Sequence, residues 1–532
     1  KGIAMDKHRI SFTGVETGWH NALPLGNGRM GAMVYYRGGK LCIALNHYDC
    51  YYHVLSQYAS KDAAPAEHTA VFRDPARREK TYEEMRGIVD RARRQPGYER
   101  SHYLRTLNPQ QADRPVYGGG SYPQGGEVRL ALSEKADWKD TVLELCVEEG
   151  KVRFSAGQGG CRAEAEVWAD PDRDGILIQL SQSAAGLWES GSIWRQEARG
   201  QGGYIYENGS AGEAITQTCL FRPDGEPACT EPFVQETALY IPGSSGDGRM
   251  PEEWQDIGGN THRQAGKERR VCVLTASVQP GRGGAVELAE QLWECREDSG
   301  IRHREQWQGF WRSSVSLPDR YLETLWHLYV YLMECGSGAG GRHSEQACGL
   351  SGLWDIRRPC MWGSMWYWDV NIQTAFYGSF ASNHMEQVKV FCDAFLSYRE
   401  EAFRFAERIY GERGWALDYP HPLYNCIQPW CGLFLWQYYA YTKDTEFLRE
   451  KAYPAFCEML DFYRRITVLD ESGIRHIEYD ICPEQGPVTK DSTITTAAVK
   501  QLAVYALRAA GILGRPEEER EEIARLIRQM PD

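Results

Sequence analysis

The sequence predicts two parts of different class: an amino-terminal antiparallel β-sandwich of the large, supersandwich kind and, after a helical linker, an (α/α)6 toroid barrel of which only the first half lies within the 532 residues. Three observations predict this. Up to about residue 275, apolar residues alternate in short runs separated by Gly, Asp and Pro. Near residue 284 the spacing of apolar residues changes to that of a helix. Beyond Asp319 the helices are joined alternately by short turns and long loops, which suits a ring of helical hairpins with all its long loops at one end. The expected borders are 1–278 for the sandwich, 279–318 for the linker and 319–532 for the barrel.

The strands are read from RISFTGV, GAMVYY, KLCIALN, GEVRLALS, TVLELCVEEGKVRFSA, CRAEAEVWAD and GILIQLSQS. Many short strands at modest spacing favour a sandwich over βαβ units. The stretches 57–115 and 190–260 are polar and Gly-rich and read as long loops, which carry rim contacts or nothing. AVELAEQLWECREDSGIRHREQWQGFWRSS reads as one or two linker helices ending at Leu317-Pro318-Asp319. Helices then follow over 321–335 and 368–382. A third opens on an Asn383-x-x-Glu386 capping box, carries Met385, Val388, Phe391, Phe395 and Tyr398 on one face, and stops at Gly411. Further helices cover 429–443, 445–466, 494–512 and 516–530. A closed ring needs twelve helices, so this one is expected to continue past residue 532, the alternative being an open helical array.

A formal charge of −13 argues against nucleic acid and anionic membranes as partners, since phosphate binding draws on excess Lys and Arg. There is no run of 18 apolar residues to span a bilayer. The amino terminus, KGIAMDKHRISF, has no apolar stretch after its basic start and is not a secretory signal, although a processed mature protein would look the same. Sixteen Cys without a CxxC read as reduced thiols of a cytoplasmic protein. Without HExxH, P-loop or GxSxG, neither a metal, nor a nucleotide, nor a serine nucleophile is expected. Oligomeric state is not legible. Gly26-Asn27-Gly28-Arg29-Met30-Gly31 matches GxGxxG, with Asp49 at about the spacing of a ribose-binding acid. A dinucleotide site needs a helix next, and here AMVYY, a Gly38-Gly39 turn and KLCIALN make a hairpin instead. Aromatic residues make 12% of the chain, enough to supply both a large core and rings for the C–H faces of sugars.

The stretch WHNALPLGNGRMGAMVY, from Trp19 to Tyr35, begins an ordered set of motifs. It continues with Leu45-Asn46, GKVRFSAG, AEVWADPDRDGILIQLS and HREQWQGFWRSSVSLPD. LSGLWD (350–355), WGSMWYWDVNIQ (362–373), WCGLFLWQYYAYTKDTEFLREKAYPAF (430–456) and CPEQ (482–485) complete it. Together these resemble the family-95 glycoside hydrolases, the inverting α-L-fucosidase family, over most of the chain. The resemblance implies an oligosaccharide or glycoside substrate, exo-acting hydrolysis with inversion, and no cofactor.

An inverting glycosidase needs a protonated carboxyl at the leaving oxygen and a base about 6.5–9.5 Å away to activate water. Glu484 lies in a Cys-Pro-Glu-Gln-Gly-Pro loop stiffened by Pro483 and Pro487. Composition alone reads it as a solvated surface carboxylate; the resemblance implies that it is the general acid, matching the Glu of the family's S-P-E motif, with Cys482 in place of Ser. The family orients its water with an Asn-x-Asn pair. Asn371 matches the second Asn, and Asp369 replaces the first. A carboxylate at 369 could take the proton of the water or accept two sugar hydroxyls; the bland alternative is an N-cap of a core helix. Tyr367 stands where fucosidases often have a sugar-contacting His, so an α-L-galactoside or another pyranoside is also open. Trp362, Trp366 and Trp368 offer stacking surface, and His421 is a candidate substrate contact. The family's second carboxylate is expected beyond residue 532. Asp355, Asp418, Glu478 and Asp480 read as loop caps and surface groups. Two rivals stay open: a glycoside phosphorylase, for which Arg357 and Arg358 are the basic residues near Asp369, and a sugar-binding homologue without catalysis.

Overall fold

The computed structural model describes residues 2–6, 8–50, 52–54, 80–107, 119–121, 125–134, 138–195, 203–222, 233–251, 254, 270–337, 349–350, 352–354, 368, 370–417, 422–483 and 486–531. The chain forms two compact units. The first is Lys1–Phe72 with Gly118–Met365, and the second is Arg73–Tyr117 with Trp366–Asp532.

The first unit contains two antiparallel sheets. The larger has the order β1 (Gly2–Asp6), β2 (Arg9–Thr13), β9 (Asp140–Cys146), β10 (Lys151–Gln158), β11 (Cys161–Ala169), β12 (Gly175–Gln182), β17 (Arg270–Pro280), β16 (Phe233–Tyr240), β15 (Ala214–Arg222) and β14 (Gly203–Ala211). The smaller runs β13 (Trp188–Trp194), β8 (Glu127–Leu132), β5 (Lys40–His47), β4 (Met30–Arg37) and β3 (Leu23–Gly26). A short pair, β6 (Tyr52–Val54) with β7 (Gly119–Ser121), stands apart from both. The two-residue period of the sequence is also the period of burial. Val152, Phe154 and Ala156 on β10 and Ile176, Ile178 and Leu180 on β12 share one core with Leu41, Ile43, Leu45, Val128 and Leu130 of the smaller sheet. The expected strands form within a residue or two of their predicted ends. The region 190–260 departs from expectation, since β14, β15 and β16 extend the large sheet where loops were read. Its polar, Gly-rich composition hid a hairpin whose turn, between Ala211 and Ala214, uses Gly212 at φ +57°.

The pseudo-fingerprint lies where the hairpin reading put it. β3 and β4 pair around it, and Gly38 and Gly39, both at positive φ, turn β4 into β5. Its glycines serve close packing. A Cβ on Gly26 would lie 2.6 Å from Cys335 O, and one on Gly31 would collide with Leu353. Gly28 N–H donates to Cys335 O at 2.9 Å, Tyr331 hydroxyl to Pro24 O at 2.8 Å, and Trp354 Nε1 to Leu25 O at 3.0 Å. Asn27 Nδ2 ties the same turn to Asp170 O and Arg173 O at 2.8 and 2.9 Å. Three motifs far apart in sequence thus meet in one place.

The linker forms helices Ala285–Glu294 and Arg296–Phe310. Leu292 of the first covers Trp168, Leu177 and Val273 on the outer face of the large sheet. The helix Arg320–Ser337, expected to open the barrel, also lies in this unit: Tyr331 and Cys335 are part of the β core. Its apolar face fits the groove that the glycines of β3 and β4 leave open.

In the second unit, helices Asn371–Ala381, Ile427–Thr442 and Thr493–Ile512 lie side by side and parallel. Gln373 Nε2 meets Cys431 Sγ at 3.4 Å, Trp430 Nε1 donates to Tyr377 hydroxyl at 2.7 Å, and Trp436 stacks on Tyr505 at 5.0 Å. Helices Met385–Ser397, Arg399–Tyr410, Tyr453–Ile466 and Glu517–Gln529 pack behind them as a second layer. Two expectations are corrected here. The single helix read from 383 to 411 is broken at Tyr398. The Asn383 capping box does not form either. Asn383, at φ +60°, ends the preceding helix: its N–H donates to Phe380 O at 3.1 Å and that of His384 to Ser379 O at 3.0 Å, a Schellman pattern that leaves no cap for the next helix. Gly411, at φ +68°, is the predicted stop.

The region 57–115, also read as loop, contains the helix Tyr82–Arg93, opened by a Thr81–Glu84 capping box, and the short helix Tyr103–Leu107. Among the described helices none is long and apolar enough to cross a membrane.

Candidate active site

The three parallel helices present their amino termini at one end of the helical unit, where unpaired N–H groups and helix dipoles favour negative charge. The described residues leading into them are 368 and 370, 422–426, 480–483 and 486–492, which flank the candidate motifs in sequence.

Asn371 is the first residue of its helix and half-buried. Val370, between Asp369 and Asn371, has φ +87° and is largely exposed. A β-branched residue in that region costs about 1–3 kcal/mol, and such strain gathers at functional sites. Trp368 is only 4% exposed, with its ring edge-on to Phe391, Phe395 and Tyr398. It packs in the core, which corrects its assignment to the wall of a sugar site. Gln373 reaches back to Trp368 O, fixing this segment against the helix it opens. Trp362, Trp366, Tyr367, Asp369, His421 and Glu484 lie outside the described residues, as do Arg357, Arg358, Asp355 and Asp418.

The loop that carries Glu484 is described on both sides. Asp480 and Thr489 exchange backbone hydrogen bonds of 3.0 and 2.8 Å, closing the base of a loop with Glu484 midway along it in sequence. Ile481 N–H donates to Leu423 O at 3.0 Å. Beneath it, Asp480 is fully buried, not the surface group the sequence reading expected. Ser492 hydroxyl donates to its Oδ2 at 2.5 Å and Asn425 Nδ2 to its Oδ1 at 3.3 Å. Burial pushes its carboxyl up to about 6, against the hydrogen bonds from Ser492, Thr495 and Asn425, which pull it down. Asn425, buried as well, accepts from Tyr410 hydroxyl at Oδ1 (3.1 Å), and its carbonyl accepts from Tyr463 hydroxyl. This network joins the loops before the second and third helices. The sequence carried little signal for it; Asp480 stands between Tyr479 and Ile481, the one hint of an inward-facing position. Among the described residues no group of three His, Cys, Asp or Glu could hold a metal ion.

Residues 291–532 match the model described as the Glycosyl hydrolase family 95 catalytic domain. A curated relative, "Alpha-L-fucosidase 2" of Arabidopsis thaliana, is 23% identical over 223 residues, covering 37% of this chain and 26% of that protein. This chain therefore spans about a quarter of the length of the relative it matches. A solved structure, "Putative kojibiose phosphorylase from human microbiome", superposes with TM-score 0.59 at 10% identity, over 99% of this chain and 69% of that one. At that identity the likeness is one of fold: antiparallel β-sheets followed by a helical part.

The class that the match points to is the glycoside hydrolases. Within it, the matching model is that of the family-95 catalytic domain, over residues 291–532 of this chain.

Proposed function

We propose that the protein is a glycosidase that cleaves an α-L-fucoside or a similar α-L-glycoside from a chain end, by hydrolysis with inversion. Glu484 protonates the leaving oxygen, and Asp369 and Asn371 orient or deprotonate the attacking water. Trp362 and Trp366 wall the sugar, Tyr367 and His421 contact it, and Trp368 supports them from the core. The observation that carries this reading is the family match over residues 291–532, the span that contains all of these positions. The convergence of three helix amino termini supports it, since positions 369, 371 and 484 fall at or just before the starts of those helices in the sequence.

The architecture belongs to the same proposal. The two helical layers are read as part of an (α/α)6 toroid with its long loops at the catalytic end. By role the chain divides into a sandwich (1–278), a helical linker (279–318) and a catalytic barrel (319–532). The setting is read as cytoplasmic and the partner as an oligosaccharide or simpler glycoside.

Proton NMR of the anomeric signals during incubation with α-L-fucosides, α-L-galactosides and related pyranosides tests the reaction. The expected result is release of the inverted anomer, lost in Glu484→Gln. Turnover only when phosphate is added would make the protein a phosphorylase. Broadened ligand signals without turnover, with or without phosphate, would make it a binding protein.

A further inference from the structure

Residues 81–107 interrupt the β-rich half of the sequence, yet they pack within the helical unit against the loop that carries Glu484. They hold that loop on both sides of it. On the amino-terminal side, Arg93 Nη2 donates to Glu478 O at 2.8 Å, and its guanidinium lies 4.9 Å from the centre of the Tyr479 ring. Tyr479 hydroxyl donates to Asp90 Oδ1 at 2.8 Å. On the carboxy-terminal side, Tyr103 N–H donates to Gly486 O at 2.9 Å and Tyr98 hydroxyl to Val488 O at 2.8 Å. Tyr103 hydroxyl also meets that of Tyr424 at 2.9 Å, below the same loop.

These contacts form a brace. The Thr81–Glu84 capping box secures the start of the helix from which Asp90 and Arg93 project. Three of the groups it holds on the loop, Glu478 O, Gly486 O and Val488 O, are backbone carbonyls, so the brace fixes the path of the chain whatever the side chains. Together with the Asp480–Thr489 pair, it fixes the chain on both sides of 482–485. A general acid must stay within hydrogen-bond reach of the leaving oxygen, and a displacement of about 1 Å can cost about a hundredfold in rate.

We propose that the segment 81–107 positions the catalytic acid: Arg93 and Tyr98 act on Glu484 through the loop, without touching the substrate. The proposal rests on the reading of Glu484 as general acid. An element from the β-rich half of the sequence thereby becomes part of the catalytic unit.

The test uses the full-length protein with Tyr98→Phe, Arg93→Met, Arg93→Lys and Glu484→Gln. Substrates are 4-nitrophenyl and methyl α-L-fucosides, or the α-L-galactoside pair if NMR identifies that sugar. A nitrophenolate leaves with little protonation, whereas an alkoxide needs the acid. Tyr98→Phe and Arg93→Met should lower kcat on the methyl glycoside roughly ten- to hundredfold with KM unchanged, and lower it less on the nitrophenyl glycoside. Arg93→Lys should recover part of the loss, and hydrogen exchange should quicken over 482–488. Tyr98→Phe keeps the shape of the ring, so it reports even if Arg93→Met fails to fold.

Equal losses on both substrates, or faster exchange with kcat intact, would overturn the proposal and leave the segment a structural support. Glu484→Gln separates the two failures. If it abolishes turnover of the methyl glycoside while the brace variants behave as wild type, the brace alone is wrong. If it spares that turnover, the acid assignment falls and the positioning role falls with it.

Discussion

Asp480 shows how one buried carboxyl records its surroundings. Desolvation raises its pKa to about 6 from an ordinary 3.8, in spite of hydrogen bonds from Ser492 and Asn425. A folded-state value above the unfolded one means that the proton stabilises the fold. The contribution is complete below pH about 4 and is lost as the pH rises through about 6, amounting to at most about 3 kcal/mol. Asp480→Asn keeps the shape and removes the titration. Its melting temperature should therefore fall furthest below that of the wild type near pH 4, and the gap should narrow by pH 7. A gap that is constant across this range, measured by thermal unfolding in matched buffers, would show that Asp480 is ionised throughout. Glu484 and Asp369 were singled out by motif, since their residue types sit at motif positions. Asp480 was passed over, because burial is a property of the fold and leaves no mark on a lone Asp.

At the scale of elements, the ends of helices are where local rules compete. Asn383 followed by Glu386 satisfies the capping pattern, but Asn is also the residue after Gly that best tolerates positive φ. The Schellman pattern closing Asn371–Ala381 takes it. The two roles separate under substitution. Asn383→Gly should be tolerated within a few tenths of a kcal/mol, while Asn383→Thr should cost about 1 kcal/mol, because Thr makes a good N-cap but a poor left-handed residue. Denaturant midpoints of the two variants decide it; a tolerated Thr would restore the capping box. The same pattern at Thr81 and Glu84 does form, and went unread in a segment taken for loop because of its polar composition.

At the scale of the whole molecule, the chain's order and its packing differ. Residues 73–117 belong with 366–532, and the helix Arg320–Ser337 belongs with the sheets. The glycines of the Trp19–Tyr35 motif make the second of these possible, by letting backbone from 335 and 353 lie directly on β3 and β4. Gly31→Ala places a methyl where Leu353 already sits. It should destabilise the β unit by roughly 1–3 kcal/mol, seen as a lower unfolding midpoint and faster hydrogen exchange in β3, β4 and β5. An unchanged midpoint would mean that the 350–354 turn yields freely.

The sequence by itself determined the alternation that builds the two sheets, the change to helical spacing near 284, the stop at Gly411 and the resemblance to the family-95 catalytic domain. Each of these is written in short-range periodicity, in residues with a single conformational use, or in motifs whose order survives in one dimension. Only the tertiary structure decided that the GNGRMG turn receives a helix 300 residues later, that Trp368 is core, that Asp480 is buried and that a polar stretch braces the loop of Glu484. These depend on which surfaces meet across long separations, where burial, shape and hydrogen bonding are set jointly by partners that local sequence does not specify.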